Sequence, residues 1–370
     1  MNRRSFLASS ATAIAMIGAP RVDADPNPDT QRRGGPWRMP DESHRHRRTW
    51  MAFGASARIW GDLLPFVRAD LARIANAIAR YEPVTLLVRP GERRIAARLC
   101  DNAVELVDAP LDDLWIRDTG PTFVLDPAGR LGGVDLNFNG WGGKQEHGHD
   151  GEVARRVSRL AGAQHLVTEL VGEGGGIEVD GHGTAILTES CFLNPNRNPG
   201  LDKRDVEGIL EASLGLRKIL WLPGIRGMDI TDGHTDFYAR FARPGVVVAA
   251  LETDRRSFDY RVTREHLKIL RAARDADGRK LEVVTLETPG RIRRKLETED
   301  FAAGYINFYV VNGAVLAPEF GDGKTDSRCK QVLRGLFPGR DIVQLNIDAI
   351  AAGGGGIHCA TQQEPESAAG

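Results

Sequence analysis

The chain of 370 residues predicts an α/β fold of one domain, built from five ββαβ units closed into a ring. Three observations predict it. One order of elements, a hairpin then a helix then a strand, recurs along the chain. The hairpin turns carry residues that tight turns need. The fifth unit is divided between the two ends of the chain, which would pin such a ring shut.

The divided unit comes first. Residues 49–53 would be its second strand, 65–81 its helix and 84–88 its last strand. Val67, Leu71, Ile74 and Ile78 recur there at helical spacing. Its first strand would be 357–361, at the far end. The next unit starts at Trp115 and runs through 122–125, 133–138, a helix near 151–162 and 166–170. In the remaining three, Asp180-Gly181 joins 177–179 to 184–188. Arg243-Pro244-Gly245 joins 237–241 to 246–251, and Asn312-Gly313 joins 305–311 to 314–318. Their helices fall near 202–214, 262–275 and 325–336. A β-rich run follows each: 218–222, 281–286 and 341–345.

Hydrophobic residues make up 41% and charged residues 27%, which suits a globular protein with a sizeable core. A net charge of -1 gives no bulk field favouring nucleic acid or an anionic membrane. No apolar run is long enough to span a bilayer. Asn2-Arg3-Arg4-Ser5-Phe6-Leu7 is close to a twin-arginine signal. An apolar stretch at 8–19 follows it, then a small-residue cleavage site at Val22-Asp23-Ala24. These imply a signal peptide at 1–24, a flexible lead-in at 25–45 and a catalytic domain at 46–366, with export to the periplasm or outside. Cys100, Cys191, Cys329 and Cys359 are too few and scattered for a disulfide framework, although export would allow one pair. Cys100 and Cys329 fall on helical patterns and read as buried thiols. His44-Arg45-His46 and His147-Gly148-His149 lie in polar loops without ligand partners in register, so no metal is expected. Arg45 to Arg48 reads as a solvated basic stretch.

Asp118, Glu173, His234, Asn307 and Cys359 each lie at or just before the first strand of a unit, about one unit apart. Equivalent positions in a ring meet at its axis, so these five would share one pocket. Cys359 follows four glycines, Gly353 to Gly356, which let a ligand approach the main chain. A thiol nucleophile needs a proton-shuttling partner and something to hold that partner; His234 and Glu173 can serve. Two further carboxylates, Asp118 and Asp236, would repel a developing oxyanion. They suit a cationic electrophile instead. A guanidinium is planar and matches carboxylates in bidentate fashion.

The segments 115–121, 133–143 (GVDLNFNGWGG), 173–180, 194–199 (NPNRNP), 233–241 (GHTDFYARF), 305–318 and 353–365 together span nearly all of 45–366. With them the chain resembles the agmatine deiminases and bacterial peptidylarginine deiminases. These belong to a guanidino-modifying group that shares a five-bladed, pseudo-symmetric α/β propeller, the pentein fold. The resemblance implies Cys359 as nucleophile, His234 as acid/base, Asp118 and Asp236 as guanidinium clamps and Glu173 as the group orienting His234. It matches Asn307 to a pocket-lining asparagine and places Gly356 beside the substrate. Trp115 and Trp141 would wall the pocket by cation–π contact. One departure stands out: this chain has Asp232-Gly233-His234-Thr235-Asp236-Phe237 where agmatine-type members have Asn-Gly-His-Ile-Asp-Asn.

The implied reaction is hydrolytic deimination through a covalent thiouronium, taking agmatine to N-carbamoylputrescine and ammonia in polyamine (putrescine) biosynthesis. Peptidylarginine, giving citrulline, is the runner-up. An amidinotransferase and a non-catalytic cation-binding propeller are further alternatives. No cofactor is implied. The partner would be a small cationic guanidino compound, with no nucleic acid, no membrane once the signal is removed, and a homo-oligomer allowed.

Overall fold

The computed structural model describes residues 37–368. The expected signal segment at 1–24 lies outside the described residues, as does the start of the expected lead-in.

Helices form where the sequence gives them an apolar face and defined ends. In Leu64–Ile78, Val67, Leu71, Ile74 and Ile78 share one face, and all four are fully buried. Lys203–Leu214 opens on a reciprocal cap between Asp202 and Asp205 and closes on the left-handed Gly215. Strands such as Val84–Val88 and Thr184–Thr188 are buried throughout, as strands covered on both faces must be.

The strands make five separate sheets, and among the described residues no sheet closes on itself. Thr122–Leu125, Leu131–Asp135 and Gln164–Val167 form one. Glu178–Val179, Thr184–Thr188 and Lys218–Leu222 form the next, then Ala239–Arg243, Val246–Leu251 and Glu282–Glu287, then Tyr309–Val311, Ala314–Glu319 and Asp341–Asn346. The remaining sheet joins Gln362–Pro365, His46–Phe53, Val84–Val88 and Val104–Asp108. Every sheet pairs its first two strands antiparallel and gains its third in parallel after a helix. That is the ββαβ order expected. The result is a mixed α/β fold.

The first strands are tied to one another by polar contacts. Glu178 accepts from Arg240 Nε at 2.6 Å and from the Phe241 N–H at 2.7 Å. Arg240 donates to the Phe308 carbonyl at 2.6 Å. Thr49 meets the Tyr309 hydroxyl at 2.8 Å, and Gln362 donates to the Pro121 carbonyl at 2.9 Å.

Four expectations need correction. The strand that pairs with His46–Phe53 is Gln362–Pro365, not 357–361. The segment around Cys359 is a tight turn, because Ala360 N–H bonds to Gly356 O and Thr361 N–H to His358 O, leaving those groups unavailable for a ladder. Likewise only Tyr309–Val311 of the 305–311 run is extended. Residues 37–45, expected to be flexible, are packed: Arg38 bridges to Leu125, and Met39 and Glu42 are buried. The basic stretch ending at Arg48 enters a strand, where Arg47 and Arg48 lie 3.6 Å from the buried Glu364. A fourth strand, Val104–Asp108, after the helix Arg93–Leu99, extends the divided sheet. All four cysteines are free. No helix of the described residues is long and apolar enough to cross a membrane.

Trp50 and Glu364 join the two ends of the chain, with the indole N–H donating at 2.8 Å inside the core. Glu364→Ala strands that donor, so it should cost about 1–3 kcal/mol of stability. Urea unfolding measures this, and Glu364→Gln, which keeps an acceptor, should retain most of it.

Candidate active site

Three of the expected residues converge on one glycine, and a fourth lies beside them. A Cβ on Gly175 would lie 2.6 Å from His234 Nδ1, 2.8 Å from Asp118 Oδ1 and 3.2 Å from Asp236 Oδ2. Cys359 is the fourth, with Sγ 3.5 Å from Asp236 Oδ2. The four arrive from three units, His234 and Asp236 from the same one, each at the turn just before the unit's first strand. Asp118 lies in the short helix Ile116–Thr119, and Gly175 in the turn Gly174–Gly176. Asp236 lies in the turn Thr235–Phe237. All of these side chains are buried.

The sulfur is held tightly. Asn307 accepts from the His358 N–H at 2.9 Å and the Cys359 N–H at 3.4 Å through Oδ1, and its amide donates to Sγ at 3.2 Å. Gly356 lies flat against that amide, where a Cβ would come within 2.4 Å of Oδ1. Asn307 and Gly356 therefore shape the nucleophile's turn.

His234 stands between two acids. Its Nε2 is 3.2 Å from Glu173 Oε2, and its Nδ1 is 3.7 Å from Asp118 Oδ1. Burial opposes charge on the ring, but Asp118, Cys191 and Glu173 together raise its pKa well above the usual value. Burial pushes the Asp118 carboxyl up, with Glu173 and Asp236 adding to the effect. Burial, then Asp236 and Asp118, push the Cys359 thiol well above its ordinary range. Cys359 is thereby held toward its thiol form.

The tryptophans sit close by in different ways. Trp141 is buried and donates to Asp118 Oδ2 at 2.9 Å. Trp115 packs on Trp60 at 5.9 Å and over Gly355, and donates to Asp113 at 3.1 Å.

The Porphyromonas-type peptidyl-arginine deiminase family matches residues 38–365. The chain belongs to this family. It is 40% identical over 351 residues to an agmatine deiminase of Stutzerimonas stutzeri, covering 88% of this chain and 95% of that one. It is 38% identical over 362 residues to an agmatine deiminase of Pseudomonas aeruginosa, covering 92% and 98%. The solved agmatine deiminase of Enterococcus faecalis superposes with a TM-score of 0.84 at 31% identity, covering 90% of this chain and 98% of that one.

Several members of this site escaped the sequence reading. Arg197 binds Glu173 at 2.8 and 2.9 Å and Asp232 at 2.8 Å, with no exposure. Burial raises the Glu173 pKa, but Arg197 and His234 together outweigh it and hold the carboxyl below its usual range. The signal for Arg197 was the NPNRNP segment, where a lone arginine is framed by turn residues. Asp232, at the departure from the agmatine-type pattern, joins Arg197 to Lys144 at 2.7 Å. Cys191 Sγ approaches Glu173 at 3.5 Å. Glu173, Cys191 and His234 are the one group among the described residues that could hold a metal ion, with ligand atoms within 4.8 Å. Arg197 already supplies a fixed positive charge there. In the two HxH pairs, His46 bonds to Glu82 and to the Glu42 carbonyl, and His147 to the Gln145 carbonyl.

Gly175→Ala should leave the fold standing and cut turnover of a guanidino substrate by at least about 10²-fold, since the methyl pushes apart three of the converging groups. Steady-state kinetics beside urea unfolding tests this. Activity within a few-fold of wild type would mean that the convergence has no role in turnover.

Proposed function

We propose that this protein hydrolyses a guanidino group through a covalent Cys359 intermediate, with agmatine as the substrate and N-carbamoylputrescine and ammonia as products. One observation carries the reading. A buried thiol lies beside two carboxylates, and Asp236 Oδ1 is buried with no hydrogen-bond partner. A lone buried carboxylate oxygen beside a nucleophile suits a cationic electrophile.

The steps follow from the groups present. The guanidinium enters between Asp118 and Asp236. Its positive charge offsets theirs, which lowers the cost of ionising Cys359, and the thiol proton passes to solvent. The sulfur adds to the central carbon, forming a C–S bond. His234 gives its proton to one nitrogen, and the C–N bond breaks with release of ammonia. A thiouronium cation remains on Cys359. Neutral His234 then takes a proton from water, and the hydroxide adds to carbon. The C–S bond breaks and the added hydroxyl gives its proton to the departing sulfur, which restores the thiol and releases a ureido group. Glu173, fixed by Arg197, holds His234 through both halves. Trp115 and Trp141 would stand as walls along the path of the alkyl chain.

Agmatine is favoured because the relatives from Stutzerimonas, Pseudomonas and Enterococcus carry that activity in their names. The peptidyl-arginine reading rests on the family's description. We assign the five ββαβ sheets to a closed five-bladed propeller, supported by the contacts between first strands and the solved relative's likeness. Residues 1–24 read as a twin-arginine signal and 46–366 as the catalytic domain, which would place this step of putrescine formation in the periplasm.

Ammonia release should show kcat/KM for agmatine at least about tenfold above that for a blocked arginine peptide. Cys359→Ser should abolish both. Peptide turnover equal to or above agmatine's would overturn the substrate assignment and leave the mechanism in place. Export is checked by replacing Arg3 and Arg4 with Lys, which should hold the precursor in the cytoplasm; normal export of that variant would refute the twin-arginine route.

A further inference from the structure

His358 has no part in the steps above, yet both of its ring nitrogens are engaged. Nδ1 lies 2.8 Å from Asp236 Oδ2, and Nε2 lies 2.8 Å from Glu42 Oε2. The ring is buried, and so are both carboxylates. A neutral imidazole has one N–H and can donate at one nitrogen only, while an ionised carboxylate can only accept. Two such contacts therefore need one proton more than a neutral ring and two carboxylates supply. Burial, then Arg117 and Arg240, lower the ring's pKa against the pull of Glu42 and Asp236; with Glu42 already served by Arg117 and Arg240, an N–H at Nδ1 directed to Asp236 is the bond the bridge needs.

The surroundings fit a clamped bridge. Glu42 comes from the segment before the strand His46–Phe53. It is anchored by Arg117 at 3.3 Å, by Arg240 at 2.8 Å and by the Val310 N–H at 2.8 Å. Arg117 also donates to the His358 carbonyl at 3.3 Å and to Gln363 at 2.8 Å. The Tyr309 ring lies 6.5 Å from the imidazole. On the other side, the Cys359 thiol meets Asp236 Oδ2 at 3.5 Å. The far end of the bridge is thus rigid, and its near end reaches the carboxylate beside the nucleophile.

The consequence falls on Asp236. Its Oδ2 is taken by His358 and the thiol, and its Oδ1 is buried without a partner. A carboxylate turns easily about its last side-chain bond, where the rotamer wells are broad. Free rotation would let either oxygen seek other donors.

We propose that His358, braced by Glu42, is the positioning residue that holds Asp236 by Oδ2 and keeps Oδ1 turned toward the substrate cation. The proposal rests on the guanidino reading of the site. It makes the segment before the first strand part of the active site, although no residue of that segment touches the nucleophile.

The test uses the mature enzyme and three substitutions. His358→Asn keeps an amide N–H near the place of Nδ1 and so the bond to Asp236. His358→Gln reaches toward Glu42 instead, and His358→Phe keeps neither. Two readouts are taken: kcat and KM for agmatine, and the guanidinium chloride concentration that half-protects Cys359 from iodoacetamide. The second does not depend on turnover, so failure of the wild type to deiminate agmatine would refute the substrate reading and leave the bridge testable. The Gln and Phe variants should lose at least about 10²-fold in kcat/KM and need at least about tenfold more guanidinium, and the Asn variant should recover at least about tenfold of that loss. Asn no better than Gln would overturn the proposal. So would Phe within about threefold of wild type, or losses that simply follow the urea midpoints. If the Phe variant does not fold, the contrast between Asn and Gln decides.

Discussion

The structure is organised by the need to pair buried charge. Glu42, Glu173, Glu178, Asp118 and Asp236 all lie in the interior. An unpaired charge there would cost several kcal/mol, roughly enough to remove much of a domain's stability. Three of the five are matched by arginines: Glu173 by Arg197, Glu178 by Arg240, and Glu42 by Arg240 and Arg117. Among the described residues, Asp118 and Asp236 have no arginine or lysine within ion-pair distance and face only histidines. Other interior acids are satisfied by N–H and O–H donors, as Asp150 is by the Asp112 and Asp113 N–H groups and Asp326 by the Tyr305 hydroxyl. Asp236 keeps one buried oxygen, Oδ1, without a partner beside Cys359, and on the reading proposed above that oxygen would suit one small cation.

The same constraint explains why the residues come from so many parts of the chain. One stretch of backbone cannot present three acids, a histidine and a thiol to a single point without repulsion and crowding. Five units each contribute one turn, and each turn is braced by its own sheet. Gly175 lies where the groups meet because only hydrogen fits there. The Gly175 N–H also donates to Asp118 at 3.1 Å, so the glycine is a ligand of the acid as well as a gap.

Much of this was legible in the sequence. The hairpin signals at Asp180-Gly181 and Asn312-Gly313 placed the strands because those turns need residues that accept a positive φ, as Gly313 does at 86°. The catalytic candidates were legible because they recur at unit starts. What stayed hidden was what depends on side chains meeting across units. His358 sits beside Cys359 in the chain, yet nothing local shows that its ring reaches Glu42, more than 300 residues earlier. Arg197 looked like part of a turn. The run 357–361 reads as a strand because Ile, Cys and Thr are good strand formers, and the turn bonds from Ala360 N–H to Gly356 O and from Thr361 N–H to His358 O override that preference.

The resting thiol bears on selectivity. Cys359 is kept protonated by burial and by Asp236 and Asp118. A neutral amide or ester entering this site would bring no charge, so the acids would continue to disfavour the thiolate, and the oxyanion formed on attack would meet the same repulsion. On the proposed reading a guanidinium would cancel the repulsion on arrival, and its addition product with the thiolate would be neutral, so no anion would develop beside the acids. Activation of the nucleophile and recognition of the substrate are therefore one electrostatic event. Selectivity built this way acts on the transition state as well as on binding, because the charge that admits the substrate is the charge that lets the sulfur attack.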